Sequence, residues 1–448
     1  MSRRNFHKTA SGIGLGLTAM ATGPFPAKVL GANERVLMGA IGLHGQGTSD
    51  SNDLMSTKNV QFIAACDVDQ RELDKFVNRF SSAKPYHDFR DLIAVKEIDA
   101  VLIATPDHWH AVPFIMACEA GKDIYCEKPI SHNITEGRAM VNAAKKFKRV
   151  VQIGSWQRSV QHFQDAIDFV RSGKLGKISV CRAWLLGNGG NIGHVPPTPA
   201  PEGFDWETYL GPAPKVRYNR NRAFYRFRWF YDYSGRQISN LGAHYLDFAH
   251  WALGHDTPLA VTAMGGKVAI SDNREIPDTF EALWTYPGGV LVIFSQFNTS
   301  GAPVDLRHGT VEVRGTEGTL YPSWWGYEVV PERVTEIEFP ALTPLDRSLS
   351  GQWQTRRKTT IEPRKNEGKN STALRARNFL DCVRSRQRCN CDIETGHRTT
   401  TATLIANIAH KTHSYLEWDA RAERFSNHPE ANDYLSCAYR APYSLPEV

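Results

Sequence analysis

Between residues 36 and 153, short apolar runs alternate with segments of helix length, and this alternation restricts the fold more than any other feature of the chain. The run 36–41 ends in Gly42, the run 60–66 ends in Asp67, and 100–104, 124–125 and 150–153 are further runs of the same kind. Runs this short and this uniformly apolar read as strands buried on both faces. Among the segments between them, 69–80 opens on an Asp and carries apolar residues at helical spacing, and 109–120 and 135–146 also read as helices. Strands alternating with helices predict an α/β unit with a doubly wound parallel sheet.

The chain is 448 residues long, enough for two or three domains. With 41% apolar and 22% charged residues it has the balance of a folded globular protein. Its net charge of +6 is spread thinly, which argues against a dedicated nucleic-acid or membrane-surface binder. Eight scattered cysteines, none in a CxxC pair, predict neither a disulfide framework nor a structural zinc site. Residues 1–32 read as an address and linker rather than fold. Arg3-Arg4-Asn5-Phe6-His7-Lys8 precedes an uncharged stretch at 10–22, too short to span a bilayer. The pattern resembles the twin-arginine export signal, with Ala19-Met20-Ala21, Ala27 or Ala32 as cleavage positions. The expectation is a soluble periplasmic protein that meets the twin-arginine translocon during export.

Gly42-Leu43-His44-Gly45-Gln46-Gly47 follows the first strand and opens a helix, and Asp67 ends the second strand 25 residues after Gly42. This is the layout of a dinucleotide site: glycines for the turn and close packing, helix N–H groups for the pyrophosphate, and a carboxylate for the ribose hydroxyls. Gly42, Leu43, His44, Gly45, Gln46 and Asp67 are therefore cofactor candidates. His44 holds a position where a side chain would crowd phosphate, so the contact is expected through Gly45. A carboxylate at Asp67 with no Arg directly after it favours NAD over NADP.

Thr105-Pro106-Asp107-His108-Trp109-His110 follows the next strand, and Glu127-Lys128-Pro129 another. With Arg228-Trp229-Phe230-Tyr231-Asp232-Tyr233 and Asn240-Leu241-Gly242-Ala243-His244, these motifs resemble the Gfo/Idh/MocA oxidoreductase family, named partly for glucose-fructose oxidoreductase and inositol dehydrogenase. The likeness runs from about residue 36 to the C-terminus. It implies an N-terminal Rossmann domain at 33–155. It also implies a C-terminal α+β domain at 156–448, built on a large open antiparallel sheet used for homo-oligomer contacts. By the same resemblance, Thr105, Pro106, His108, His110, Glu127, Lys128 and Gln157 belong to the cofactor site, while Trp156, Gln157 and Arg158 line its junction with substrate. The HxH spacing at 108–110 is also a metal-ligand spacing, but no third and fourth ligand accompany it and no metal is expected.

Lys128 is implied to contact the reacting hydroxyl, either stabilising alkoxide charge or acting as base if burial lowers its pKa. Family members place a catalytic His on a helix with an Asp four residues before it; here the pair is Asn240 and His244, which four-residue spacing sets on one helical face. Asn240 is expected to orient the ring, with Asp247 as a possible electrostatic substitute or an Arg partner. Arg228, Trp229 and Tyr231 join flat apolar surface to hydrogen-bond donors, a composition suited to a sugar ring. Downstream, the Gly/Pro-rich 187–214 reads as a long ordered loop, 258–270, 279–286, 290–296 and 310–320 as antiparallel strands, and 371–384 and 399–412 as helices. Cys389 and Cys391 read as loop thiols. The resemblance implies an exported NAD-dependent oxidoreductase acting on a secondary hydroxyl or keto group of a sugar, glycoside or polyol, with tightly bound cofactor. Two alternatives remain open: an NAD-dependent glycoside hydrolase working by transient oxidation, and a non-catalytic sugar-binding relative.

Overall fold

A computed structural model describes residues 35–188, 190–302, 310–335 and 357–448; the export signal read at 1–32 lies outside them. The N-terminal apolar runs form six parallel strands: β1 (Val36–Ile41), β2 (Val60–Cys66), β3 (Lys84–Tyr86), β4 (Ala100–Ile103), β5 (Asp123–Cys126) and β6 (Val151–Ile153). Their order is β3-β2-β1-β4-β5-β6, so the strand order reverses between β1 and β4. At such a reversal the loops leaving the carboxyl ends of two neighbouring strands diverge and leave a crevice. Five helices connect them: α1 (Gly45–Ser56), α2 (Gln70–Arg79), α3 (Phe89–Ile93), α4 (Ala111–Glu119) and α5 (Ile134–Lys146). The Asp69 carboxylate caps α2 by accepting from Arg71 N, and Asn133 with Glu136 forms a reciprocal capping box on α5.

After α6 (Gln161–Arg171) the chain enters a second sheet through β7 (Ile178–Asn188). Three short helices follow: α7 (Trp206–Leu210), α8 (Arg236–Asn240) and α9 (Gly242–Leu253). Strands β8 (Ala260–Gly266), β9 (Thr279–Tyr286) and β10 (Val290–Phe297) then form a meander, and β11 (Thr299–Ser300) pairs beside β7. Beyond it lie β12 (Val311–Gly315), β13 (Gly318–Ser323), β14 (Gly326–Pro331), the separate pair β15 (Arg333–Thr335) and β16 (Arg357–Thr359), and β17 (Arg364–Glu367). Helices α10 (Ala373–Ser385) and α11 (Ile393–Thr412) precede β18 (Leu416–Asp419) and β19 (Arg424–Phe425). The second sheet has 11 strands in the order β17-β14-β13-β12-β7-β10-β9-β8-β18-β19, with β11 off this path.

Strict alternation on β9 buries Phe280, Ala282, Trp284 and Tyr286 against the helices, and Trp284 Nε1 donates to Ala402 O on α11 at 3.0 Å. The sheet is mixed rather than purely antiparallel, because β7 and β10 run in parallel. No hairpin joins those two; the chain leaves β7, passes through α7 to α9, and returns by way of β8 and β9. The single strand read at 310–320 is the hairpin β12–β13, folded at Thr316-Glu317. Helix α10 leaves this half of the molecule and packs on the first sheet, where Ala376, Phe379, Leu380 and Val383 share a core with Val36, Met38, Leu54 and Phe62. Cys389 and Cys391 are free thiols in the loop between α10 and α11, as read, and both are buried there.

Candidate functional site

The crevice at the β1/β4 reversal opens on the glycine turn. Gly42 has φ +84°, and a Cβ there would come within 2.7 Å of the Ala104 carbonyl. A Cβ on Gly47 would run into the Gly42 carbonyl oxygen, which is how closely α1 approaches the turn. Gly45 (φ +36°) faces open space. No side chain caps the N-terminus of α1. Helix N–H groups left without intrahelical partners are donors for an oxyanion, and here they face the cleft. These features fit the pyrophosphate of a dinucleotide. His44 does not obstruct them, since its Nε2 lies 3.3 Å from an Asp69 oxygen and its ring 4.9 Å from that of Phe224.

Asp67 is buried at the end of β2; its two oxygens accept from Leu43 N at 2.6 Å and Asp69 N at 2.8 Å. Burial raises its pKa, with His44 acting in the opposite sense. The next cation in sequence, Arg71, is tied to the Asp69 carboxylate by two hydrogen bonds of 2.9 and 2.8 Å. The end of β2 therefore presents carboxylates with their cation already engaged.

A cleft of about 720 Å³ continues from this turn to the carboxyl ends of β4 and β5. Its wall includes Gly42, Leu43, His44, Gly45, Gln46 and Asp67 on the nucleotide side, Thr105, Pro106 and His110 on the loop after β4, and Glu127, Lys128, Trp156, Arg228, Asn240 and His244 deeper in. The Lys128 ammonium donates to both the backbone O and the side-chain Oδ1 of Asn240, each at 3.0 Å. Burial lowers its pKa and the Glu127 carboxylate works against that. His244 lines the same cleft with its Nδ1 buried and unpartnered. Burial, reinforced by the Lys128 and Arg375 cations, holds its pKa well below the usual 6.5, so the imidazole is neutral near pH 7. The expectation that Asn240 orients the His244 ring fails: its amide oxygen is taken by Lys128 and its nitrogen donates to Gln237 Oε1 at 3.0 Å. Asn240 positions the lysine instead.

Behind Lys128, Arg375 of α10 reaches Glu127 Oε1 at 3.3 Å, the Gly154 carbonyl at 2.8 Å and the Asp50 carboxylate on α1. Sequence reasoning missed this arginine, which sits 248 residues from Glu127 and carries no local signal. It also missed Trp324, whose ring lies 4.7 Å from that of Trp156 at the cleft mouth, although the Trp324-Trp325 pair beside Gly326 was there to be noticed.

Five candidates lie outside the cleft wall. His108 is buried with Nε2 at 3.1 Å from Tyr209 O. Gln157 is buried with Oε1 unpartnered. Arg158 pairs with Asp247 at 2.9 Å, which makes Asp247 an arginine partner and leaves it no role beside His244. Trp229 packs under the Arg274 guanidinium, and Tyr231 is covered on one face by Arg236. Both nitrogens of His110 face backbone carbonyls, Pro129 O and Thr105 O, at 2.8 Å.

The stretch 201–229 crosses the crevice as a strap. On one side it bonds to the β2–α2 turn, through Gln70 N to Gly203 O (2.8 Å) and Asp205 N to Val68 O (2.9 Å). On the other it meets the loop after β4, where Trp109 Nε1 donates to Thr208 O at 3.0 Å. Phe204, Tyr209, Phe224, Tyr225 and Phe227 of the strap line the cleft.

Residues 36–155 match the model of an oxidoreductase family with an NAD-binding Rossmann fold, and 181–374 with 365–445 match that family's C-terminal alpha/beta domain. The chain is 30% identical over 157 residues to an inositol 2-dehydrogenase of Rubrobacter xylanophilus, covering 34% of this chain and 45% of that protein. It is 24% identical over 258 residues to a trans-1,2-dihydrobenzene-1,2-diol dehydrogenase of Mus musculus, covering 58% and 65%. It thus spans between about half and two thirds of the length of these curated relatives. Among solved structures, a levoglucosan dehydrogenase in complex with NADH and levoglucosan superposes with TM-score 0.64 at 17% identity, over 86% of this chain and 99% of that one.

Proposed function

This chain belongs to the Gfo/Idh/MocA oxidoreductase family, and from that premise we propose that it is an NAD-dependent dehydrogenase acting on a secondary hydroxyl or keto group of a sugar, glycoside or polyol. The observation that carries this reading is the meeting, in one cleft, of an uncapped glycine turn, a strand-end carboxylate, a buried lysine and a neutral buried histidine. The nicotinamide, when bound, supplies a hydride acceptor for the carbinol carbon. His244, neutral and lining the cleft, takes the hydroxyl proton. Lys128, held in place by the two Asn240 oxygens, donates its remaining N–H to the substrate oxygen and offsets the negative charge that grows there. NAD is favoured over NADP because the Asp67 carboxylate lines the cleft at the end of β2 and Arg71 is already paired with Asp69. The strap across the crevice supports a cofactor retained between turnovers, and the start of the chain, Arg3-Arg4 before an apolar stretch, supports twin-arginine export to the periplasm.

The test is to purify the full chain, identify bound nucleotide by native mass spectrometry, and follow reduced nicotinamide absorbance over a panel of sugars, glycosides and polyols. Co-purified NAD(H) that is turned over by members of the panel is the expected result. Protein that neither carries nucleotide nor binds NAD in calorimetry overturns the reading.

A further inference from the structure

Arg228 sits in the cleft wall with no carboxylate to neutralise it. Its Nε is buried without a hydrogen-bond partner, and among the described residues it makes no ion pair. Asp107 is the carboxylate that bears on it electrostatically, yet one Asp107 oxygen already accepts from Ser234 Oγ at 2.6 Å. Three arginines nearby are paired with carboxylates, Arg222 with Asp232 and Glu275, Arg274 with Asp272, and Arg375 with Asp50 and Glu127; Arg236 is buried without one, but it lies outside the cleft wall. The guanidinium carbon of Arg228 lies over the Tyr225 ring, 3.6 Å from its centroid, and 5.5 Å from that of Phe227. Contact of this kind holds the group in place; Tyr225 takes one side-chain hydrogen bond from it, and the buried Nε is a donor left without a partner. A cation taken out of water without a counter-charge costs free energy that a bound anion returns, and a planar fork of N–H groups matches a carboxylate in two parallel hydrogen bonds. Lys128 stands in the same cleft as a second cation, with the Glu127 carboxylate bearing on it.

We propose that Arg228 is a specificity-determining residue that receives an oxyanion group of the substrate, and that the substrate is accordingly an acidic sugar or polyol, such as a uronic or aldonic acid. This rests on the dehydrogenase reading of the same cleft. The carboxylate binds at Arg228 while the carbinol lies at Lys128 and His244. Because the cofactor pyrophosphate is also an oxyanion, the test separates the two sources.

The purified full chain, with and without NADH, is titrated by calorimetry with D-glucuronate, D-galacturonate and D-gluconate and with their neutral counterparts glucose, galactose and sorbitol. Removing a charge-assisted bidentate contact is expected to weaken binding roughly 10- to 100-fold. At least one acid should therefore bind wild type that much more tightly than its neutral partner. Arg228→Gln should erase the difference, Arg228→Lys should restore part of it, and NADH affinity should stay within a few-fold in both. Equal binding of acid and neutral sugars, no binding of any acid, or an acid preference that survives Arg228→Gln overturns the proposal. A loss confined to NADH affinity also overturns it and assigns the arginine to the cofactor. Failure of wild type to bind NADH overturns the dehydrogenase reading, while the acid preference still decides Arg228.

Discussion

The chemistry at Lys128 and His244 depends on which protonation state each keeps in the cleft. If His244 takes the hydroxyl proton and Lys128 holds the oxygen, His244→Ala and Lys128→Met should each lower turnover of bound NAD by about 10²- to 10⁴-fold, with little change in nucleotide affinity. A base works only when unprotonated, so a His244 pKa held well below 6.5 places the acid limb of the pH–rate profile below that value. Lys128→Met removes one of the cations that depress it, and the acid limb of the residual activity should move to higher pH. A limb that stays put would show that another group titrates there. The Asn240→Asp variant tests the lysine rather than the histidine: its new charge lies 3.0 Å from Lys128 Nζ and should raise the lysine pKa. The places of the glycines and Asp67 in the cleft were legible because residue type and strand-end position point there together, while Lys128 was reached through the family resemblance of Glu127-Lys128-Pro129. The partner of Asn240 was not, because a side-chain amide turns toward whichever group tertiary structure brings to it, here one 112 residues away.

At the level of elements, β1, β2 and β9 are where the apolar runs and the alternation placed them, since local pattern sets which face of a strand is buried. Strand β7, ISVCRAWLLGN, escaped because its alternation is weak, and with it went the parallel pairing to β10. The docking of α10 on the first sheet was equally hidden; its helical period is visible but its partner is not. That docking rests on Arg375 between Asp50 and Glu127, all buried. Removing one member of a buried ion group strands the others, so Arg375→Met should destabilise the protein by about 3–5 kcal/mol, measured by denaturant unfolding. Burial already raises the Asp50 pKa, Arg375 opposes that rise, and the variant should raise it further. For a carboxyl whose folded pKa exceeds its unfolded value, the penalty is full above the folded pKa and is relieved as pH falls toward the unfolded one. The deficit should therefore shrink as pH falls, and Asp50→Asn should recover part of it. A deficit independent of pH would mean that lost packing, not stranded charge, is its source.

Across the whole molecule, the second half of the chain closes over a site that the first half builds. The Gly/Pro-rich stretch was legible as an ordered loop, but its destination was not, because its anchors at Val68–Gln70 and His108–Trp109 are set by packing between distant segments. The proposed export of a folded protein and the proposed retention of its nucleotide belong together, since a cofactor acquired before export must survive the passage. Replacing both Arg3 and Arg4 by Lys should leave the protein active but inside the cell, and unchanged periplasmic yield would reject the export signal. The proposed retention is tested at Phe224, whose ring lies 4.9 Å from His44 and 5.0 Å from Phe204, and which adopts φ +54°, a conformation that favours glycine. Phe224→Gly keeps the backbone path and deletes the ring that joins the strap to the glycine turn. An aromatic contact contributes about 0.5–1.5 kcal/mol beyond its buried area, which as a barrier to opening corresponds to roughly 2- to 10-fold faster release. Release of bound NADH, followed by its fluorescence after mixing with excess NAD, should speed up by that factor, with no change in the protein's unfolding midpoint beyond what one lost ring explains. An unchanged release rate would mean that the strap shapes the pocket without holding the nucleotide in it.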